Sequence, residues 1–437
     1  MKTLAVRLYG KEDLRLEEFD LPPLKEDEIL AQVISDSICM SSYKAAEQGA
    51  DHKRVPNDVA ENPTIIGHEM SGRLVEVGNK WRKTFQPDMK FSIQPALNYK
   101  GSLDAPGYSY RYIGGDATYI IIPNEVMELN CLLPYTGEGY FPASLSEPVS
   151  CIAGAFHASF HNEQGSYVHQ MGIREGGCLA LLAAAGPMGL GSLDYALHSA
   201  AEPRLSRDAV PRPRLSRPRL IVLTDIDDKR LERAKSFFPP EEAAKLGIEL
   251  IFSNTREIGD VPGYLVGLTG GEGFDDVFVF APVAPVVETG DRILGKNGCL
   301  NFFAGPTDPT FGAKLNFYNV HYGGTHVVGT SGGNTDDMIE ALALMSEGKI
   351  NPAMMVTHIG GLNAVVETTL NLPKIPGGKK LIYTNIEMEL TAIADFKDKG
   401  AEDPLYAKLA ELVEAHNGLW SVEAEEYLLA SAKAISV

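Results

Sequence analysis

From residue 1 to about 123 the chain shows short apolar runs separated by turn residues, at 4–8, 29–34, 74–77, 91–93 and 119–122. Runs of that length, broken by Gly, Pro, Asn and Asp, predict a mostly β domain. After Glu147-Pro148 the pattern changes. Residues 149–160 predict a helix, and Gly177-Cys178-Leu179-Ala180-Leu181-Leu182 is a continuous apolar run, suited to a strand buried on both faces of a parallel sheet. Further strands are predicted at 220–223, ending in Thr224-Asp225, at 277–280 and at 299–303, with a helix at 229–238. Strands alternating with helices predict a doubly wound parallel sheet, so the fold class is α/β.

Three stretches fall outside that rhythm. Residues 101–115 are rich in Gly, Tyr and Ser without a regular period, and read as a surface loop. Pro203-Arg204-Leu205-Ser206-Arg207 recurs as Pro213-Arg214-Leu215-Ser216-Arg217, and its prolines exclude a continuous helix. A segment joining a helix back to the next strand lies at the strands' N-terminal edge, opposite a ligand crevice, so this insert reads as a solvated loop. After about residue 385 two helices are expected: Asp403-Pro404 begins the first, Gly418 closes it and Ser421 begins the second. Their expected role is packing against the first domain.

Composition narrows the function. A chain of 437 residues with 44% hydrophobic content has room for two or three filled cores. No run reaches the roughly 18 to 20 apolar residues that span a bilayer, and the first ten residues lack a signal-peptide apolar segment, so a cytoplasmic protein is expected. A net charge of -19 repels nucleic acids and anionic membranes. The five cysteines, Cys39, Cys131, Cys151, Cys178 and Cys299, form no C-x-x-C pair and read as reduced thiols.

Candidate chemistry gathers at two places. Gly67-His68-Glu69, followed by Gly72 and Gly78, puts an imidazole beside a carboxylate in a segment whose glycines permit tight turns. With Cys39 upstream and Glu147 downstream, a thiolate, an imidazole and two carboxylates can converge on one zinc ion if the fold brings them together. The second place is Ala184-Ala185-Gly186-Pro187-Met188-Gly189, a glycine turn between a predicted strand and helix, where backbone N–H groups can approach a pyrophosphate. Ala184 stands where the usual pattern has its first glycine. Asp225, at the end of the second strand, can accept hydrogen bonds from ribose hydroxyls and repel a 2′-phosphate, whereas the nearby Lys229 and Arg230 can serve one. Both NAD(H) and NADP(H) are compatible with that set.

Together, Cys39-Met40-Ser41-Ser42, Gly67-His68-Glu69 with Gly72 and Gly78, Gly114-Gly115-Asp116-Ala117-Thr118-Tyr119, Glu147-Pro148-Val149-Ser150 and the glycine turn before Asp225 resemble the zinc-dependent medium-chain dehydrogenase/reductase family of alcohol and polyol dehydrogenases. The resemblance implies a GroES-like catalytic domain at 1–156, a Rossmann cofactor domain at 157–333, and a return to the catalytic domain with a C-terminal helical extension at 334–437. It implies Cys39 and His68 as zinc ligands, with Glu69 and Glu147 as ligands or holders of a zinc-bound water. Ser41 would contact the substrate oxygen and pass its proton outward, and Lys44 stands where many relatives have a relay histidine. Ser42 replaces the aspartate that ordinarily supports the imidazole. The family's structural zinc takes four cysteines after the His-Glu pair. None lies between His68 and Cys131, so one zinc is expected.

Residues 38–44, the loop 49–54 and Gly418-Leu419-Trp420-Ser421-Val422-Glu423 resemble the branch of that family that reduces L-sorbose 1-phosphate. What this implies is reduction of a ketose 1-phosphate to a hexitol 6-phosphate by a homo-oligomer, dimer or tetramer, with a nicotinamide donor. A phosphorylated sugar bound to so acidic a chain needs local cations, for which Lys44, His52, Lys53 and Arg54 are candidates. Two alternatives stand beside it: a dehydrogenase of unphosphorylated polyols, and a non-catalytic nucleotide-binding relative.

Overall fold

The computed structural model describes residues 1–163, 165–199 and 217–436. Most of the Pro/Arg insert therefore lies outside the described residues. The chain forms two compact units: Met1–Glu147 with Met345–Val437, and Pro148–Leu344. Both breaks fall within helices, Ser146–Ala158 and Thr335–Ser346.

The first unit is mostly β. Its largest sheet runs in the order Thr391–Ala392, Val356–Gly361, Lys379–Tyr383, Ile29–Ile38, Ser71–Val77, Lys90–Ile93 and Leu132–Pro134, with Tyr119–Ile122 also paired to Ile29–Ile38. A smaller sheet joins Asp13–Asp20, Lys2–Gly10 and Thr64–Ile65. Strand Ile29–Ile38 buries Ile29, Ala31 and Val33 against Leu74, Phe91 and Ile120. Alternate positions thus supply one face of a core, as the period of two requires.

The two C-terminal helices form as their caps predict. Pro404–Ala415 starts at Asp403, whose side chain accepts the Leu405 N–H at 2.9 Å, and Val422–Ser431 starts at Ser421, which accepts from Ala424 N–H at 3.1 Å. They seat Leu409, Leu412, Trp420, Ala424 and Leu428 against Ile359, Leu381 and Tyr383. The fully buried Trp420 donates its indole N–H to the Tyr383 hydroxyl at 2.7 Å, which satisfies the polar end of a large apolar ring.

Residues 101–115 are not the surface loop the sequence suggests. Residues 105–108 and 113–115 are buried. Gly107, at φ 79°, lies against the carbonyl of Gly67 where any Cβ would collide, and the Gly115 N–H donates to that same carbonyl at 2.7 Å. Here glycine marks close backbone packing, which its composition does not distinguish from exposure.

The second unit is a six-stranded parallel sheet in the order Glu249–Asn254, Leu220–Asp225, Cys178–Leu182, Phe274–Val279, Leu294–Phe302, His326–Val328. Every residue of Cys178–Leu182 is buried, as its continuous apolar run predicts. The strand order reverses beside that strand, and in such sheets ligands bind at the carboxyl ends there. The fold is the predicted doubly wound arrangement. Among the described residues no helix is long and apolar enough to cross a membrane.

Candidate functional site

Strand Ile29–Ile38 delivers Cys39, which caps helix Met40–Gln48 in an extended conformation. Strand Thr64–Ile65 delivers the second half of the cluster through Gly67, whose φ of 90° turns the backbone so that His68 and Glu69 follow. The Glu69 N–H donates to Asp36 Oδ1 at 3.1 Å, which ties the two segments together. As a result one ligand atom each from Cys39, His68 and Glu69 lies within 4.8 Å of the other two. A sulfur, a nitrogen and an oxygen gathered this closely in a buried place fit a zinc ion.

His68 is fixed from both sides. Its Nδ1 is 3.4 Å from the Ser42 hydroxyl and its Nε2 is 3.3 Å from the Tyr108 hydroxyl. Ser42 thus occupies the supporting place on the imidazole. Burial lowers the His68 pKa and holds the ring in its neutral, ligating form. Burial likewise pushes the Cys39 thiol up to about 11, with Glu69 and Glu147 adding to the rise against the pull of Lys379. A cation bound there would ionise the thiol and release its proton.

The two carboxylates differ. Glu69 is buried, both its oxygens lie on the Lys379 ammonium at 2.5 and 2.6 Å, and it also accepts from the Ser37 hydroxyl. Burial alone would lower the Lys379 pKa, but Glu69 and Cys39 raise it further, so the ammonium keeps its charge. Glu147 is half-buried in the first turn of helix Ser146–Ala158. Glu69 Oε1 lies 4.0 Å from His68 Nε2, and Glu147 and Glu69 both oppose the fall in the His68 pKa.

Two residues here were not singled out from the sequence. Lys379 opens the buried strand Lys379–Tyr383, and a lysine in such a strand signals that a counter-charge is waiting. Tyr108 lies in the Gly/Tyr/Ser-rich stretch whose composition predicts a surface loop. Its buried ring packs 4.9 Å from the His68 ring, stacks on His52 at 5.8 Å and carries the Arg54 guanidinium at 5.6 Å. Ser41 Oγ is 3.7 Å from Cys39 Sγ.

Tyr108 therefore joins the metal-type cluster to the predicted basic group. Lys44 and Arg54 are half-buried and Lys53 is exposed. Among the described residues none of these three forms an ion pair. His52 behaves differently: burial, and then Lys53, Arg54 and Lys44, lower its pKa to about 4, so it is neutral at physiological pH and brings no positive charge.

In the second unit the glycine turn follows strand Cys178–Leu182 and opens helix Pro187–His198, with Gly186 at the cap and Pro187 and Met188 in the first turn. Gly189 has no room for a Cβ because it lies on the Ala184 backbone, whereas a Cβ on Gly186 would meet no atom of the described residues within 4 Å. The turn is thus tight on the strand side and open at the helix end, the shape a pyrophosphate needs. Asp225 is 6% exposed and accepts the N–H groups of Ala185 at 3.2 Å, Ile226 at 2.8 Å and Asp227 at 3.1 Å. Those bonds leave a carboxylate about one further lone-pair position for a ribose hydroxyl. Lys229 and Arg230 are exposed on the following helix, Asp228–Phe237.

Residues 219–347 match the family model described as zinc-binding dehydrogenase. The chain is 49% identical to a mannitol-1-phosphate 5-dehydrogenase of Aliivibrio fischeri, over 98% of this chain and 97% of that one. It is 48% identical to the L-sorbose 1-phosphate reductase of Klebsiella pneumoniae, over 99% of each. The solved structure of a 2R,3R-butanediol dehydrogenase from Bacillus subtilis superposes with a TM-score of 0.66 at 20% identity, over 88% of this chain and 100% of that one.

Proposed function

The chain belongs to the zinc-dependent medium-chain dehydrogenase/reductase family, and from that premise we propose that it reduces a ketose 1-phosphate of the L-sorbose 1-phosphate kind to a hexitol 6-phosphate. The observation that carries the substrate class is the group Lys44, Lys53 and Arg54. Three cations without acidic partners among the described residues stand beside a buried ligand cluster in a chain of net charge -19. Such an arrangement suits a dianionic phosphate close to the reacting carbonyl.

Cys39 and His68 would hold the zinc, with Glu147 completing the set, because Glu69, although its oxygen lies within 4.8 Å of the other two ligand atoms, is held by Lys379. Zinc there supplies a Lewis acid that polarises the substrate carbonyl. The turn 184–189 and Asp225 would bind the nicotinamide dinucleotide that furnishes the hydride. The Ser41 hydroxyl donates its proton to the substrate oxygen, and Lys44, on the same helix, restores it from solvent. Tyr108 orients the His68 ring while its face supports Arg54 for two-point contact with the phosphate.

The relative named for mannitol 1-phosphate favours a second reading, because that name places the reaction at carbon 5 and the phosphate at carbon 1. Oxidation of NADH and of NADPH, followed with ketose 1-phosphates, ketose 6-phosphates and free ketoses, tests both. Fastest turnover of a 1-phosphate supports the first reading. Fastest turnover of a 6-phosphate supports the second, and turnover of free ketoses alone refutes both.

A further inference from the structure

The helices Pro404–Ala415 and Val422–Ser431 lie far along the chain from Glu147, yet one of their residues reaches the segment that carries it. Glu425 is 1% exposed. Its Oε2 accepts the Tyr140 N–H at 2.6 Å and its Oε1 the Phe141 N–H at 2.9 Å. These N–H groups open the short helix Phe141–Ser144, where the backbone has no internal acceptor to offer them. Two oxygens of one buried side chain thus satisfy two donors that would otherwise be left without a partner.

The same segment is pinned at each following step. Lys90 Nζ donates to the carbonyls of Gly137 at 2.9 Å and Gly139 at 3.2 Å just before it. Ser144 Oγ lies 3.0 Å from Ser35 Oγ, on the strand that ends at Cys39. Ser146 Oγ donates to the Ala143 carbonyl at 2.6 Å and lies 3.0 Å from Ser92 Oγ. The next residue is Glu147. Glu425 is itself held by the Ser421 cap and by Trp420 packed on Tyr383. Burying a carboxylate is costly, and apolar packing of the helix would need none. A buried acid at this point is explained by the backbone it aligns.

We propose that Glu425 is a positioning residue for Glu147, so that the C-terminal helices set, through the backbone of 140–146, where that carboxylate is presented to the zinc. The proposal rests on the reading of Glu147 as a zinc-holding residue. Competition of full-length zinc-loaded protein with a chromophoric chelator, well below its unfolding temperature, tests it. Glu425→Ala and Glu425→Gln are compared with Glu147→Ala, and KM for the nicotinamide cofactor is measured in parallel. Glu425→Ala is expected to weaken zinc binding about 10- to 100-fold, the usual effect of removing a group that orients a ligand. Glu425→Gln, which keeps one acceptor oxygen, is expected to weaken it less. Glu147→Ala is expected to weaken it most, and cofactor KM to stay unchanged in the Glu425 variants.

A purely structural role would lower the melting temperature and leave the zinc constant alone. Wild-type zinc affinity in both Glu425 variants, with loss in Glu147→Ala, overturns the proposal while the reading of Glu147 stands. If Glu425→Ala does not fold, the Gln variant decides in the same way. Wild-type affinity in Glu147→Ala overturns both.

Discussion

Glu69 and Lys379, 310 residues apart in sequence, form a buried pair in which the ammonium lies 2.5 and 2.6 Å from the two carboxylate oxygens. Removing one partner strands the other as a buried charge, so Lys379→Met is expected to cost about 3–5 kcal/mol of stability. Glu69→Gln together with Lys379→Met should cost less than the two single changes added. Denaturant titration of the three variants checks this, and strict additivity would refute the coupling.

Because Lys379 occupies Glu69, zinc retention is expected to survive Glu69→Gln and to be lost in Glu147→Ala. Metal analysis after dialysis against chelator distinguishes them. The opposite pattern would make Glu69 the ligand, and Lys379 a group that the metal displaces.

Tyr108 is expected to matter more for its ring than for its hydroxyl in holding the phosphate. A cation on an aromatic face contributes about 0.5–2 kcal/mol. Tyr108→Ala should therefore raise KM for the phosphorylated sugar about 2- to 30-fold, while Tyr108→Phe should leave that KM near wild type and lower kcat by loosening His68. Steady-state kinetics of both variants measure the split.

Much of the frame was legible locally. Cys39, His68 and the turn before Asp225 announce themselves through residue type, spacing and neighbouring apolar runs, and the buried strand Cys178–Leu182 through unbroken hydrophobicity. Two residues that could not be read owe this to distance along the chain. Lys379 answers a carboxylate 310 residues away, and Glu425 answers N–H groups 284 and 285 residues away. Tyr108 was hidden because close backbone packing and solvent exposure favour the same small, flexible neighbours. His52 was misjudged as a cation because burial against Tyr108, which suppresses its charge, is a property of the fold.

Glu425 carries a pH signature. Burial raises its carboxyl pKa to about 7 from an ordinary 4.5, against the opposing pull of the Tyr140 and Phe141 N–H groups, the Tyr383 hydroxyl and Lys90. The folded chain keeps this proton to higher pH than the unfolded chain does. Its contribution is complete below 4.5 and is lost as pH rises through about 7, a change of about 3 kcal/mol. Wild type should therefore lose stability relative to Glu425→Gln by that order between about pH 5 and pH 8. Denaturation midpoints that move in parallel for the two proteins would contradict this.

The central claim is tested most directly by kcat/KM for L-sorbose 1-phosphate beside L-sorbose, in wild type and in Arg54→Ala, with the donor saturating. Two charge-assisted contacts at about 1.5–3 kcal/mol each predict a preference of wild type for the phosphate of at least about 100-fold. In Arg54→Ala that preference should fall mainly through a higher KM for the phosphorylated sugar. Equal kcat/KM for both sugars in wild type, or an equal effect of the substitution on both, would contradict the account.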